Sequence, residues 1–270
     1  MGARFARLAP GWLPILLVAA DALLPALRLP VLAVVIAVAG VALVRRRGRP
    51  TGVVVAWIAV LPIAVGLAVG LLPDPRVADP GACDDIFAPP VVRRIIQAAA
   101  VLGTIAVLAP RMGGRRSLGL VMPADRRVTA LAIACPLLAP IALIVGPLLA
   151  GPFFGTVILA LPSPAALVPA TLLAMANAAL EETAYRGAAQ HWAAPALGRV
   201  GAIAAQALIF GCAHQGSDIA AGAGLILGGL ILAGFVAGLV ADRTGSLLLP
   251  FAAHAAIDIP VALALTCRVA

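Results

Sequence analysis

Glu181 and Glu182 are the only glutamates in the 270-residue chain, and they stand side by side near the end of an apolar run. Adjacent residues of a helix point about 100° apart, so the two carboxylates cannot share one task. Glu182 and Arg186 are four residues apart with the acid first, the favourable order for an intrahelical ion pair. That pairing assigns Glu182 and Arg186 a largely structural part. It leaves Glu181 with no partner in its own helix, so it must find one on another helix or take up a proton.

Two later stretches supply partners of the right type. "FGCAH" (210–214) puts Phe210 and His214 on one helix face, and "HAAID" (254–258) does the same for His254 and Asp258. An aspartate one turn from a histidine can accept a ring proton and fix the tautomer. Taken singly, each has an ordinary reading, a hydrogen-bonded core histidine or a helix-stabilising pair. Together, Glu181, His214, His254 and Asp258 are the residue types that activate water or bind a metal, and ionisable groups in lipid are functional candidates by default. His191 lies beside Trp192 and reads as an interfacial residue, and Asp21 as a hairpin contact or a shallow position.

The elements that must position these groups are membrane helices. Hydrophobic residues make up 63% of the chain and charged residues 11%, against about 25% charged in a soluble domain. Apolar runs at 11–27, 31–44, 52–72, 91–109, 128–150, 164–186, 200–216, 219–241 and 246–266 approach or reach the roughly 20 residues that span a bilayer. The fold class expected is all-α, a polytopic transmembrane helix bundle of eight or nine helices. The first run, behind Arg4 and Arg7, reads as an uncleaved helix because a second follows at once.

The net charge of +8 comes from arginine alone and clusters between apolar runs, a pattern of membrane topology that argues against nucleic acid as a partner. The basic stretches 45–49 and 111–127 read as cytoplasmic, as does the N-terminus. The stretch 73–90, with four aspartates and one arginine, suits the opposite side. The long polar stretch 111–127 divides the chain into N-terminal helices (1–110) and a core (128–270). Cys83, Cys135, Cys212 and Cys267 have no metal-site spacing and imply no disulfide framework.

If the helix ends at 186, Glu181 lies about one and a half turns from the cytoplasmic boundary. His214 then lies some 22 Å beyond Arg199. The two meet only if Arg199 does not mark the membrane entrance or the helix is strongly tilted.

The order and placement of three motifs resemble a known family. "EETAYR" is similar to EExxxR, "FGCAH" to FxxxH and "HAAID" to HxxxN/D of the CPBP intramembrane proteases. That family includes type II CAAX prenyl endopeptidases and bacterial proteins linked to bacteriocin processing and self-immunity. The resemblance covers about 128–270. It implies an intramembrane endopeptidase acting on membrane-associated or lipidated peptide or protein substrates, with membrane lipid around it; the alanine- and arginine-rich, lysine-free composition suggests a bacterial plasma membrane. It also implies roles: Glu181 as the base for water, helped by His214, with Arg186 as the motif arginine. His254 and Asp258 would stabilise or orient the oxyanion, with Glu182 and Phe210 in support. Position 258 is Asp where the prenyl branch has Asn, and an ionised Asp can only accept hydrogen bonds. The prenyl branch favours metal-free chemistry. Zinc on Glu181, His214, His254 and Asp258 is the alternative by ligand type.

Two other functions fit the residues. Buried Glu and His also serve as proton relays in transporters, although no matching repeat halves are visible. A non-catalytic immunity-type protein would keep the same motifs for binding.

Overall fold

The computed structural model describes residues 85–112, 114–142, 144, 164–214 and 223–266, and every regular element among them is helical. The expected spans 11–27, 31–44 and 52–72 lie outside the described residues, as do Asp21, Cys83 and Cys267. Six α-helices are bounded among the described residues: α1 (Pro89–Leu108), α2 (Arg126–Ala134), α3 (Leu167–Glu181), α4 (Gln190–Ala213), α5 (Ala223–Thr244) and α6 (Leu248–Thr266). Pro89–Leu108, Pro164–Pro195 and Leu227–Thr244 are long and apolar enough to cross a membrane, and Leu197–Ala213 and Leu248–Leu263 are shorter apolar helices. The all-helical membrane bundle read from composition is the architecture found.

Local chemistry explains the ends. Pro89 opens α1, where a missing N–H costs nothing. Asp125 caps α2, its side chain accepting from the Arg127 N–H at 2.8 Å. The expected span 128–150 is not one even helix. It passes from α2 into a 3-10 turn over Cys135–Leu137, where Pro136 removes a backbone donor.

The expected helix end at 186 is overturned. The chain stays helical from α3 through a π-helical segment, Glu182–Ala189, into α4. The polar run "EETAYR" is buried rather than lying at a boundary, which is why polarity alone misplaces the end. The turn comes later, at Gly198, with φ 74° and ψ 166°, in a region that disfavours residues bearing a Cβ. Pro195 stands just before it. Beyond Gly198, α4 doubles back along the π segment: Phe210 meets Tyr185, and Ala202, Ala205 and Ile209 share one buried cluster with Leu180, Ala184 and Ala188. The outward and returning arms are each about 24 Å long, so the return brings His214 back to the level of Glu181. The depth mismatch suggested by Arg199 is thereby removed. Arg199 is exposed at the turn and pairs with Asp242 near the end of α5.

Helix α6 runs antiparallel to α3: Asn177 meets Asp258, and Ala170, Leu173 and Ala174 cluster with Ala262 and Leu263. The stretch 111–127 folds onto the start of α6. The Leu247 N–H donates to the Gly119 carbonyl at 3.0 Å, and the Ser246 hydroxyl donates to the Val121 carbonyl at 2.6 Å. Helix α5 covers α4 through small residues, as close helix approach in a membrane requires. At Gly238 any Cβ would lie 2.5 Å from Gln206 Nε2 and 2.8 Å from Gln190 Oε1. Both glutamines are buried and bond α5 directly, Gln190 Nε2 to the Gly238 carbonyl at 3.0 Å and Gln206 Nε2 to the Gly234 carbonyl at 2.8 Å.

Candidate active site

The π segment determines which way its polar side chains face. Widening the turn from 3.6 residues changes the register of everything after it, and such segments recur at functional sites. Here both glutamates reach one imidazole despite their adjacency. Glu182 Oε1 accepts from His254 Nδ1 at 2.7 Å, and Glu181 Oε2 lies 3.7 Å from His254 Nε2. Glu182 also pairs with Arg186, Nη1 to Oε1 at 3.0 Å, as the i,i+4 spacing predicts. Its part is therefore wider than the structural one that its spacing suggests. It joins the arginine to the histidine of another helix.

Burial is nearly complete on this side. Glu182 and Arg186 are each 2% exposed and Glu181 is 7% exposed. A buried pair of this kind offsets two desolvation penalties only with good geometry and further contacts. Phe210 provides one of these, its ring centroid lying 4.0 Å beneath the Arg186 guanidinium. The same ring meets Tyr185 edge-on at 5.6 Å, His214 at 4.7 Å and His254 at 6.2 Å. The motif phenylalanine is thus the common wall of the cluster.

His214 closes α4 from the returning arm. Its Nδ1 lies 2.7 Å from the Phe210 carbonyl, which can only accept, so Nδ1 carries a proton. In the neutral ring Nε2 is then an acceptor, and it lies 3.8 Å from Glu181 Oε2. His254 Nε2 also lies 3.3 Å from Asp258 Oδ2, one turn further along α6. The four residues singled out by sequence therefore converge from α3, α4 and α6. Their links are unequal: Glu182–His254 is a close hydrogen bond, whereas the Glu181–His214 and Glu181–His254 approaches exceed hydrogen-bond length.

His191, read as interfacial, is partly buried. Its Nδ1 faces the Arg186 and Gly187 carbonyls at 2.8 and 3.0 Å. Asn177 is a site residue that the sequence does not flag. Its Nδ2 donates to Asp258 Oδ2 at 2.6 Å. An uncharged amide does not stand out among ionisable groups, although it lies one turn before Glu181 on the same face of α3.

Zinc fits these residues by ligand type. Among the described residues, no group of three or more His, Cys, Asp or Glu side chains could hold a metal ion. Asp258 Oδ2 accepts from the Asn177 amide, and His254 Nδ1 donates to Glu182 Oε1. Cys135 and Cys212 are buried free thiols.

The bundle and this buried acid–imidazole cluster define a helical membrane protein with several ionisable side chains brought together inside it. Residues 163–260 match the family model of the type II CAAX prenyl endopeptidases, Rce1-like, which supports a protease of the CAAX/CPBP family. The match spans all three motifs and supports intramembrane endopeptidase activity in general terms, with a protein or peptide substrate in a membrane setting. No curated protein and no solved structure matches the chain.

Proposed function

We propose that the chain is a glutamate-dependent intramembrane endopeptidase that cleaves membrane-associated or lipidated substrates. The observation that carries this reading is the position of Glu181 Oε2, buried between the Nε2 atoms of His214 and His254 at 3.8 and 3.7 Å. A water bonded to both groups sits beside the line joining them, since 3.8 Å is too short to admit one between. Such a water donates one hydrogen bond to Glu181 and one to the acceptor nitrogen of His214. As its oxygen attacks the peptide carbonyl carbon, its proton passes to Glu181. The carbonyl oxygen becomes an oxyanion.

His254 donates Nδ1–H to Glu182, and its Nε2–H, oriented by Asp258, is shared with that charge. Collapse breaks the C–N bond, and the proton held by Glu181 passes to the leaving amine. Asp258 orients His254 rather than donating itself, because a carboxylate has no proton to give. Arg186, Glu182 and Phe210 hold the ring of His254 in place.

An alanine- and arginine-rich, lysine-free composition supports a bacterial plasma-membrane location, and basic stretches grouped on one side support a cytoplasmic N-terminus. Purified wild-type protein is expected to release a new amine from a lipidated peptide in detergent, read by mass spectrometry. His214→Ala should lower that rate by about 100-fold or more while the helical content is unchanged. Full activity in that variant contradicts the role given to His214.

A further inference from the structure

Asp258 is held by more than its own helix. Asn177 on α3 and Asp258 on α6 meet side chain to side chain at 2.6 Å, across helices that are otherwise joined there by apolar contacts. Asn177 stands one turn before Glu181, and Asp258 one turn after His254. The two antiparallel helices therefore present two rungs, Asn177–Asp258 and Glu181–His254, with the short link on the rung further from the π segment. An amide can donate to a carboxylate without adding a charge, which matters in a lipid-excluded interior.

We infer that Asn177 is a positioning residue of the site, clamping Asp258 Oδ2 so that it stays on Nε2 of His254. Without the clamp, Asp258 has rotamers that turn it away from the ring. The imidazole then keeps only its Glu182 link at Nδ1, and its Nε2 is no longer held between Asp258 and Glu181. Asn177 touches neither water nor substrate in this scheme and acts through Asp258. The inference rests on the proposed proteolysis for its kinetic consequence, but not for the linkage itself.

The test uses the full-length protein in detergent with Asn177→Ala, Asn177→Asp, Asp258→Asn and the exchanged pair Asn177→Asp/Asp258→Asn. Asn177→Ala should lower kcat by about 10-fold or more with KM changed less than about 2-fold. Asn177→Asp sets two carboxylates against each other and should lose about 100-fold. The exchanged pair restores an amide opposite a carboxylate and should recover at least about 10-fold of that loss. Additive losses in the exchanged pair, or a neutral Asn177→Ala, overturn the inference.

A second readout needs no activity: the rate at which diethyl pyrocarbonate modifies His254, compared with His214 in the same sample. Asn177→Ala should raise the His254 rate by about 3-fold or more, leave His214 unchanged, and be reversed in the exchanged pair. If wild-type protein cleaves nothing, the proteolytic reading falls while this comparison still decides the clamp. Equal His254 rates in wild type and Asn177→Ala overturn it.

Discussion

The α3/α6 seam and the α4/α5 seam both bury polar side chains inside apolar helices, but they use them differently. At α4/α5, Gln190 and Gln206 each donate to a backbone carbonyl of α5, at Gly238 and Gly234. At α3/α6, side chains bond side chains: Asn177 with Asp258, and Glu182 with His254. A bond to a carbonyl of a rigid helix fixes distance and register and has no other state. A bond to an ionisable side chain can exchange a proton or a partner. The first seam joins helices, while the second can take part in a reaction.

That contrast can be broken from either side. After Glu181 itself, the largest effect is expected at His254, which contacts Glu182, Asp258 and the Phe210 ring while facing Glu181. His254→Ala should lower kcat by about 1,000-fold, with the unfolding midpoint in detergent nearly unchanged. A comparable fall in both would make the seam structural.

Glu182→Ala comes next and should act on stability as well as rate. It strands the Arg186 guanidinium, 2% exposed, with its carboxylate partner removed. Removing one member of such a pair costs about 3–5 kcal/mol, read by denaturation. Retention of wild-type stability would show that Arg186 is satisfied by other groups.

The smallest effect belongs to the other seam. Gly238→Leu intrudes on Gln206 and Gln190 and should cost about 1–3 kcal/mol of stability. Any surviving folded fraction should turn over at the wild-type rate. A fall in kcat per folded molecule would mean that the two seams are coupled.

The difference between the seams also explains what is legible in the sequence. Glu181, His214, His254 and Asp258 stand out because ionisable types are scarce in the apolar second half and two of them share an i,i+4 face. Residue type alone marks these four, and three helices bring them together. Asn177 escapes because an amide carries no charge, although its spacing from Glu181 is a usable signal. The π segment leaves no trace, since Glu182 and Arg186 pair at i,i+4 in either helical register.

The expected helix end fails for a related reason. Polar residues in an apolar chain read as a boundary unless their partners are known. The partners of "EETAYR" lie about 30 to 70 residues away in sequence, on helices that only folding brings near. The true break is written more plainly, as Pro195 followed by Gly198. Gln190 and Gln206 give no functional signal because their bonds are to glycine carbonyls, which no residue pattern records.

The most direct measurement compares cleavage of a lipidated peptide by purified wild-type and Glu181→Ala protein, each with and without a chelator. If Glu181 is the general base for water, the wild type cleaves equally with and without chelator. Glu181→Ala then falls by about 1,000-fold or more while its helical content and detergent unfolding midpoint are preserved. Cleavage retained by Glu181→Ala, or wild-type activity lost to the chelator, contradicts a metal-free mechanism based on this glutamate.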